Sequence, residues 1–133
     1  MIEAYSGSCH CGQVRFRVRF SAEQSSFKCN CSMCAKTRAW LAPVGEGALT
    51  LLSGEADLAQ YRFAARKISH RFCLQCGVKV FGQGEDAQGA PFFAVSLTAL
   101  DDIPAERLAA LPIAYFNGRH DDYSQPPSDT SLL

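Results

Sequence analysis

Seven cysteines constrain this chain more than any other feature, because they fall into three tight local groups. The groups are Cys9-His10-Cys11, Cys29-Asn30-Cys31-Ser32-Met33-Cys34 and Cys73-Leu74-Gln75-Cys76. An odd number of cysteines cannot all pair as disulfides, and clusters this dense point to metal binding or thiol chemistry. The N-terminus, Met-Ile-Glu-Ala-Tyr-Ser-Gly, has no basic segment followed by an apolar stretch, so no signal peptide is read. The expected compartment is the cytoplasm, where thiols stay reduced.

The spacing divides the cysteines in a definite way. A Cys-x-x-Cys turn brings two sulfurs within reach of one metal, and Gly77 after Cys76 lets the backbone turn back. Cys9 and Cys11 lie two apart, so in an extended strand their side chains leave from one face, and Gly12 follows them. Two such pairs complete a tetrahedral zinc site, with Zn–S distances of about 2.3 Å, that staples the N-terminal strand to a later hairpin. A structural site of this kind contributes roughly 10–16 kcal/mol of apparent binding energy to folding. Cys29, Cys31 and Cys34 remain. Three thiolates surround one face of a metal without closing a tetrahedron, and an open fourth position separates catalytic from structural zinc. The alternatives for the triple are an empty site, a disulfide formed on oxidation, or zinc closed by a protein ligand.

Around these groups the chain reads as mainly β and as one domain, residues 1–123, with a loose tail over 124–133 that holds Pro126-Pro127. Val14, Phe16, Val18 and Phe20 alternate with Arg15, Arg17 and Arg19, which predicts a strand with one buried face and one solvated arginine face. Further strands are expected over 49–52, 61–63, 68–72, 78–81 and 92–97, with the Cys73–Cys76 turn closing a hairpin. The only helix candidate of length is 104–111, with a short turn possible after Cys34. With 13 Lys+Arg against 13 Asp+Glu, the balance does not suit a nucleic-acid binder, and no apolar run reaches the ~20 residues of a membrane span.

Lys28, Lys36 and Arg38 bracket the triple, so an anionic ligand reaching its vacant position would meet compensating charge. Trp40, the only tryptophan, could supply an apolar wall. The bland reading is solvated charges and a core indole. Among the histidines, His10 points away from its neighbours' metal, His70 is expected to be structural, and His120 sits in a polar loop and is not expected to ligate.

Gly7-Ser8-Cys9-His10-Cys11-Gly12, the Cys29–Cys34 group, and Arg71-Phe72-Cys73-Leu74-Gln75-Cys76-Gly77 with Phe81-Gly82 together resemble the glutathione-dependent formaldehyde-activating enzymes and centromere-protein-V-like proteins. The resemblance runs from about Gly7 to Asp121. It implies a β-tent fold of twisted antiparallel sheets. It also implies structural zinc on Cys9, Cys11, Cys73 and Cys76, and functional zinc on Cys29, Cys31 and Cys34. The implied activity is that of a carbon–sulfur lyase, in which a thiol such as glutathione adds to an aldehyde such as formaldehyde.

The expectation is therefore a zinc enzyme acting on a small-molecule thiol and aldehyde. Cys29, Cys31 and Cys34 would be its catalytic centre, Lys36 and Arg38 would hold substrate carboxylates, and Trp40 would lie beside them. A zinc-stapled binding module and a thiol redox sensor or zinc buffer are the rivals from other classes. The substrate and the oligomeric state, a homo-oligomer included, stay open.

Overall fold

A computed structural model describes residues 2–21, 23–63 and 68–133. Among these, ten strands form two sheets. The smaller joins β1 (Ile2–Ser8), β2 (Arg15–Ser21) and β5 (Leu49–Ser53) in the order β1-β2-β5. The larger has the order β10-β3-β4-β9-β8-β7-β6. Its strands are β3 (Ser26–Cys29), β4 (Leu41–Gly45), β6 (Leu58–Tyr61), β7 (Ser69–Cys73), β8 (Lys79–Glu85), β9 (Pro91–Ser96) and β10 (Ile113–Phe116).

Strand β2 follows the alternation in the sequence: Phe16, Val18 and Phe20 are buried and the three arginines are exposed. The apolar face of the small sheet packs on one face of the large sheet. Phe16 meets Phe81 edge-on at 6.1 Å, and Phe81 meets Phe93 at 5.3 Å. Ala42, Val44, Val80 and Val95 complete this core from the large sheet. Gly7 is required here, because a Cβ on it would come within 2.2 Å of the Phe16 ring.

Several elements differ from expectation for identifiable reasons. The strand expected over 61–63 begins three residues earlier, at Leu58, and ends at Tyr61. The helix expected over 104–111 is α2 (Ala105–Ala109), with Pro104 as its N-cap. The short helix is α1 (Ser32–Thr37), which begins before Cys34 and contains it. Cys9 and Cys11 lie in the turn between β1 and β2 rather than in an extended strand. All strand pairs are antiparallel except β10 with β3, which run parallel. Ser26 anchors that pair, its backbone N–H and its hydroxyl both donating to the Pro112 carbonyl at 2.8 and 2.6 Å.

The second face of the large sheet is also apolar. Leu41 and Pro43 of β4, Phe92 and Ala94 of β9, and Phe27 of β3 alternate with the core residues and point the other way. This explains why β9 reads as a continuous apolar run: one of its faces lies in the core and the other lines a cavity.

Candidate metal centre

The first cysteine cluster forms where two hairpin turns meet. Cys9 and Cys11 come from the β1–β2 turn, Cys73 from the end of β7 and Cys76 from the turn that follows it, and all four sulfurs lie within 4.8 Å of one another. The two turns use the same backbone device. The Cys9 N–H donates to the Val14 carbonyl while the Val14 N–H donates to the Cys9 sulfur at 3.3 Å. In the other turn the Cys73 N–H donates to the Val78 carbonyl, and the Gln75 N–H donates to the Cys73 sulfur at 3.3 Å. Gly12 and Gly77 both take positive φ, +82° and +78°, where a side chain would be strained. Sulfur–sulfur distances of 3.6 Å for Cys9–Cys11 and 3.7 Å for Cys11–Cys73 approach the ~3.8 Å edge of a tetrahedron with 2.3 Å arms. The cluster can hold a thiophilic metal ion, and doing so ties the small sheet to the large one. Backbone N–H groups of Cys11 and Val78 draw the Cys76 thiol down to about 6, favouring the ligating thiolate.

The second cluster is Cys29, Cys31 and Cys34, whose sulfurs also lie within 4.8 Å of one another. Among the described residues no fourth His, Cys, Asp or Glu joins them. Cys29 ends β3, and Cys31 is the N-cap of α1, its sulfur accepting the Cys34 N–H at 3.4 Å. The Cys31 N–H in turn donates to the Cys29 sulfur at 3.4 Å. Donation from the Cys29 and Cys34 thiols holds Cys31 down at about 2. The same hydrogen bonds to Cys29 and Cys31 retain the Cys34 proton and push that thiol up. None of the seven cysteines is paired in a disulfide.

These sulfurs open into a cavity of about 750 Å³ on the outer face of the large sheet. Its floor is the second apolar face described above. One wall is aromatic: Phe27 lies 5.1 Å from Phe116, which meets Tyr123 edge-on at 5.7 Å. The 117–123 loop closes over the cluster and is latched by Asn30. The Asn30 amide donates to Asn117 Oδ1 at 3.0 Å and its Oδ1 accepts the Arg119 N–H at 3.0 Å. Arg119 Nε adds a bond to the Asn30 carbonyl at 3.1 Å. The loop approaches so closely that a Cβ on Gly118 would sit 2.5 Å from the Cys29 sulfur. The polar lining comes from His70, Lys79, Arg119, Asp121 and Tyr123 together with Ser25 and Ser32.

The basic and aromatic residues near the triple in sequence lie elsewhere. Lys36 and Arg38 are exposed and do not line the cavity. On α1 a residue two positions beyond Cys34 leaves from the opposite side of the helix, which turns Lys36 outward. Arg38 caps that helix in the left-handed conformation and donates to the Leu132 carbonyl. Trp40 packs against the core, donating Nε1–H to Ser26 Oγ at 2.8 Å, with the Lys28 ammonium 5.3 Å from its ring centroid. Lys28 also reaches the Leu133 carbonyl at 3.4 Å, so the end of the 124–133 tail contacts the body. His10 and His120 are exposed and belong to neither cluster. His70, expected to be structural, lines the cavity.

A model of the glutathione-dependent formaldehyde-activating enzyme family matches residues 4–116. The chain belongs to this family. A protein of Halomonas elongata, provisionally named a glutathione-dependent formaldehyde-activating enzyme, is 47% identical over 51 residues. That match covers 38% of this chain and 29% of the relative, so it spans under a third of the relative's length. A crystal structure of a Rhodobacter sphaeroides protein superposes with a TM-score of 0.66 and 25% identity, covering 82% of this chain and 99% of that one. The family match contains both cysteine clusters but ends at Phe116, before the loop that carries Gly118, Arg119, Asp121 and Tyr123. Sequence reasoning on the triple missed these four and Lys79. Two signals pointed to them: a charge inside the apolar run Val78–Phe81, and the Asn117-Gly118 pair that marks a tight turn.

Proposed function

We propose that this chain is a zinc-dependent enzyme making or breaking the carbon–sulfur bond of a thiol–aldehyde adduct. Glutathione is the thiol, formaldehyde or a related aldehyde the partner, and the scaffold a β-tent. The observation that carries this reading is the asymmetry of the two clusters: one is a closed set of four sulfurs, the other three sulfurs facing a cavity. Cys9, Cys11, Cys73 and Cys76 would hold structural zinc, and Cys29, Cys31 and Cys34 a second zinc. Zinc held by three thiolates supplies a Lewis-acid position and favours the ionised form of a thiol that reaches it.

The protein's own groups do the rest. Phe27, Phe116 and Tyr123 shield one side of the cluster, and Leu41, Pro43 and Phe92 give the carbon portion of the adduct a dry surface. Arg119, fixed by Asn30, places a cation at the cavity wall where a carboxylate of the thiol would dock. It takes the role that sequence proximity suggested for Lys36 and Arg38. A site built from reduced cysteines suits a reducing compartment, the cytoplasm.

The test is zinc per chain under reducing conditions, followed by thiol–aldehyde assays with glutathione. About two zincs and catalysed adduct formation or cleavage are expected. One zinc after saturation, with no activity, would favour a zinc-stapled binding module instead.

A further inference from the structure

Lys79 reaches the cavity through a local irregularity in the sheet. In regular alternation Lys79 and Phe81 would share a face. The β7–β8 register shifts between Arg71 and Phe72, so that Arg71 faces Phe81 and Phe72 faces Lys79, leaving Val80 as an extra residue. Val80 and Phe81 therefore both enter the core, while Lys79 and Gly82 line the cavity. A bulge that re-aims a side chain is a feature found beside active sites.

The surroundings of Lys79 are unusual for a lysine. Its Nζ lies 2.9 Å from His70 Nδ1, and among the described residues no carboxylate comes within ion-pair reach of it. His70 is buried and stacked on Phe63 at 5.5 Å. Burial first, and the Lys79 charge second, push the imidazole down to about 4, so it is neutral at pH 7 and Nδ1 accepts from the ammonium. Burial lowers Lys79 as well, against the pull of the Cys34 and Cys31 sulfurs. With one N–H committed to His70, the ammonium has donors left for an oxygen in the cavity.

We propose that Lys79 is a further catalytic residue of the reaction proposed above, its ammonium hydrogen-bonding the oxygen of the aldehyde-derived carbon, with His70 as its positioning residue. The inference rests on that reading of the site. In the addition direction the thiolate sulfur attacks the carbonyl carbon. The C–S bond forms and the C=O π pair moves onto oxygen, where Lys79 donates to the developing charge. The proton lost when the thiol ionised returns to this oxygen through solvent, giving the thiohemiacetal, and Lys79 keeps its own protons. Cleavage is the reverse, and no redox change occurs. One preorganised donor of this kind is worth about 10²–10³ in kcat.

The experiment compares two inert thioethers by calorimetry on zinc-loaded protein. S-methylglutathione lacks the oxygen, and S-(carboxymethyl)glutathione presents a carboxylate in its place. Wild type should prefer the carboxymethyl compound by about tenfold. Lys79→Met should lose that preference and Lys79→Arg should retain part of it, both with unchanged zinc content and melting temperature. His70→Gln, which keeps an acceptor, should retain more of the preference than His70→Phe. In turnover, Lys79→Met should lower kcat by about 10²–10³ with KM little changed. Equal binding of both thioethers by wild type, or an undiminished preference in Lys79→Met, would overturn the inference while leaving the thiol reading intact. Loss of the second zinc in Lys79→Met would also overturn it, making Lys79 a charge partner of the thiolates. Wild type that binds neither thioether and turns over no adduct would overturn the functional reading, and this inference with it.

Discussion

The four-cysteine and three-cysteine clusters use the same donor atoms in opposite surroundings. In the first, each contributing turn is self-contained: hairpins β1–β2 and β7–β8 bring their own hydrogen bonds and a positive-φ glycine, and Cys9 and Cys73 are part of the hydrophobic core. In the second, a single short segment brings all three sulfurs, and the rest of the environment comes from afar. The loop over 117–123 covers it, β7 and β8 supply His70 and Lys79, and the outer face of the large sheet supplies the floor. A site closed by its own ligands holds the fold together. A site that opens into a cavity leaves room for a bound molecule beside its sulfurs.

The comparison can be broken most decisively at Cys73. Cys73→Ser removes a fully buried sulfur from the cluster that brings the two sheets together. Structural zinc contributes roughly 10–16 kcal/mol, as much as a whole domain's net stability. The variant should lose cooperative thermal unfolding and its zinc, and a stable zinc-free fold would remove the structural role of this cluster. Cys34→Ser should act in the opposite way. Metal content by elemental analysis should fall from about two zincs to about one, carbon–sulfur activity should disappear, and the melting temperature should stay within about 5 °C. Persisting activity would sink the catalytic assignment of the triple.

A finer contrast comes from Gly118→Ala, whose Cβ would collide with the Cys29 sulfur. Zinc affinity of the second cluster, measured by chelator competition, should drop by about 10–100-fold, as when outer-shell support is lost, while the first cluster is unaffected. The smallest effect is a pH dependence. His70 is held at about 4 in the folded chain against an ordinary value near 6.5, so the unfolded chain binds its proton first as pH falls. Its contribution to stability is complete above about pH 6.5 and is lost progressively towards pH 4. Between pH 7 and 5 this amounts to about 1 kcal/mol after allowing for solvent screening, and denaturant titrations should show it in wild type but not in His70→Gln.

Much of the first cluster was legible because its chemistry is local: ligands two or three residues apart, each pair followed by a glycine, can close a metal site only in a few ways. Strand β2 was legible because a single buried face imposes strict alternation on Phe16, Val18 and Phe20. Strands β3 and β10 were not, since four-residue segments such as Ser26–Cys29 carry too few residues to establish a period. Strand β1 buries only Tyr5 and Gly7, and β4 carries Pro43 between apolar residues on both faces, so neither shows a clean alternation. The parallel β10–β3 pair depends on the Ser26–Pro112 contact, 86 residues apart, which no local pattern encodes.

The sequence by itself determined the partition of the cysteines, the mainly β class and the family, because ligand spacing, two-residue alternation and turn glycines act within a few residues. Only the tertiary structure decided which groups face the three-cysteine cluster. Lys36 and Arg38 adjoin it in the chain but turn away on α1, whereas Lys79, His70 and Arg119 reach it from β8, β7 and the 117–123 loop. The physical reason is that side-chain direction is set by strand pairing and by the bulge opposite Arg71, and those are fixed only when the two sheets close on a common core.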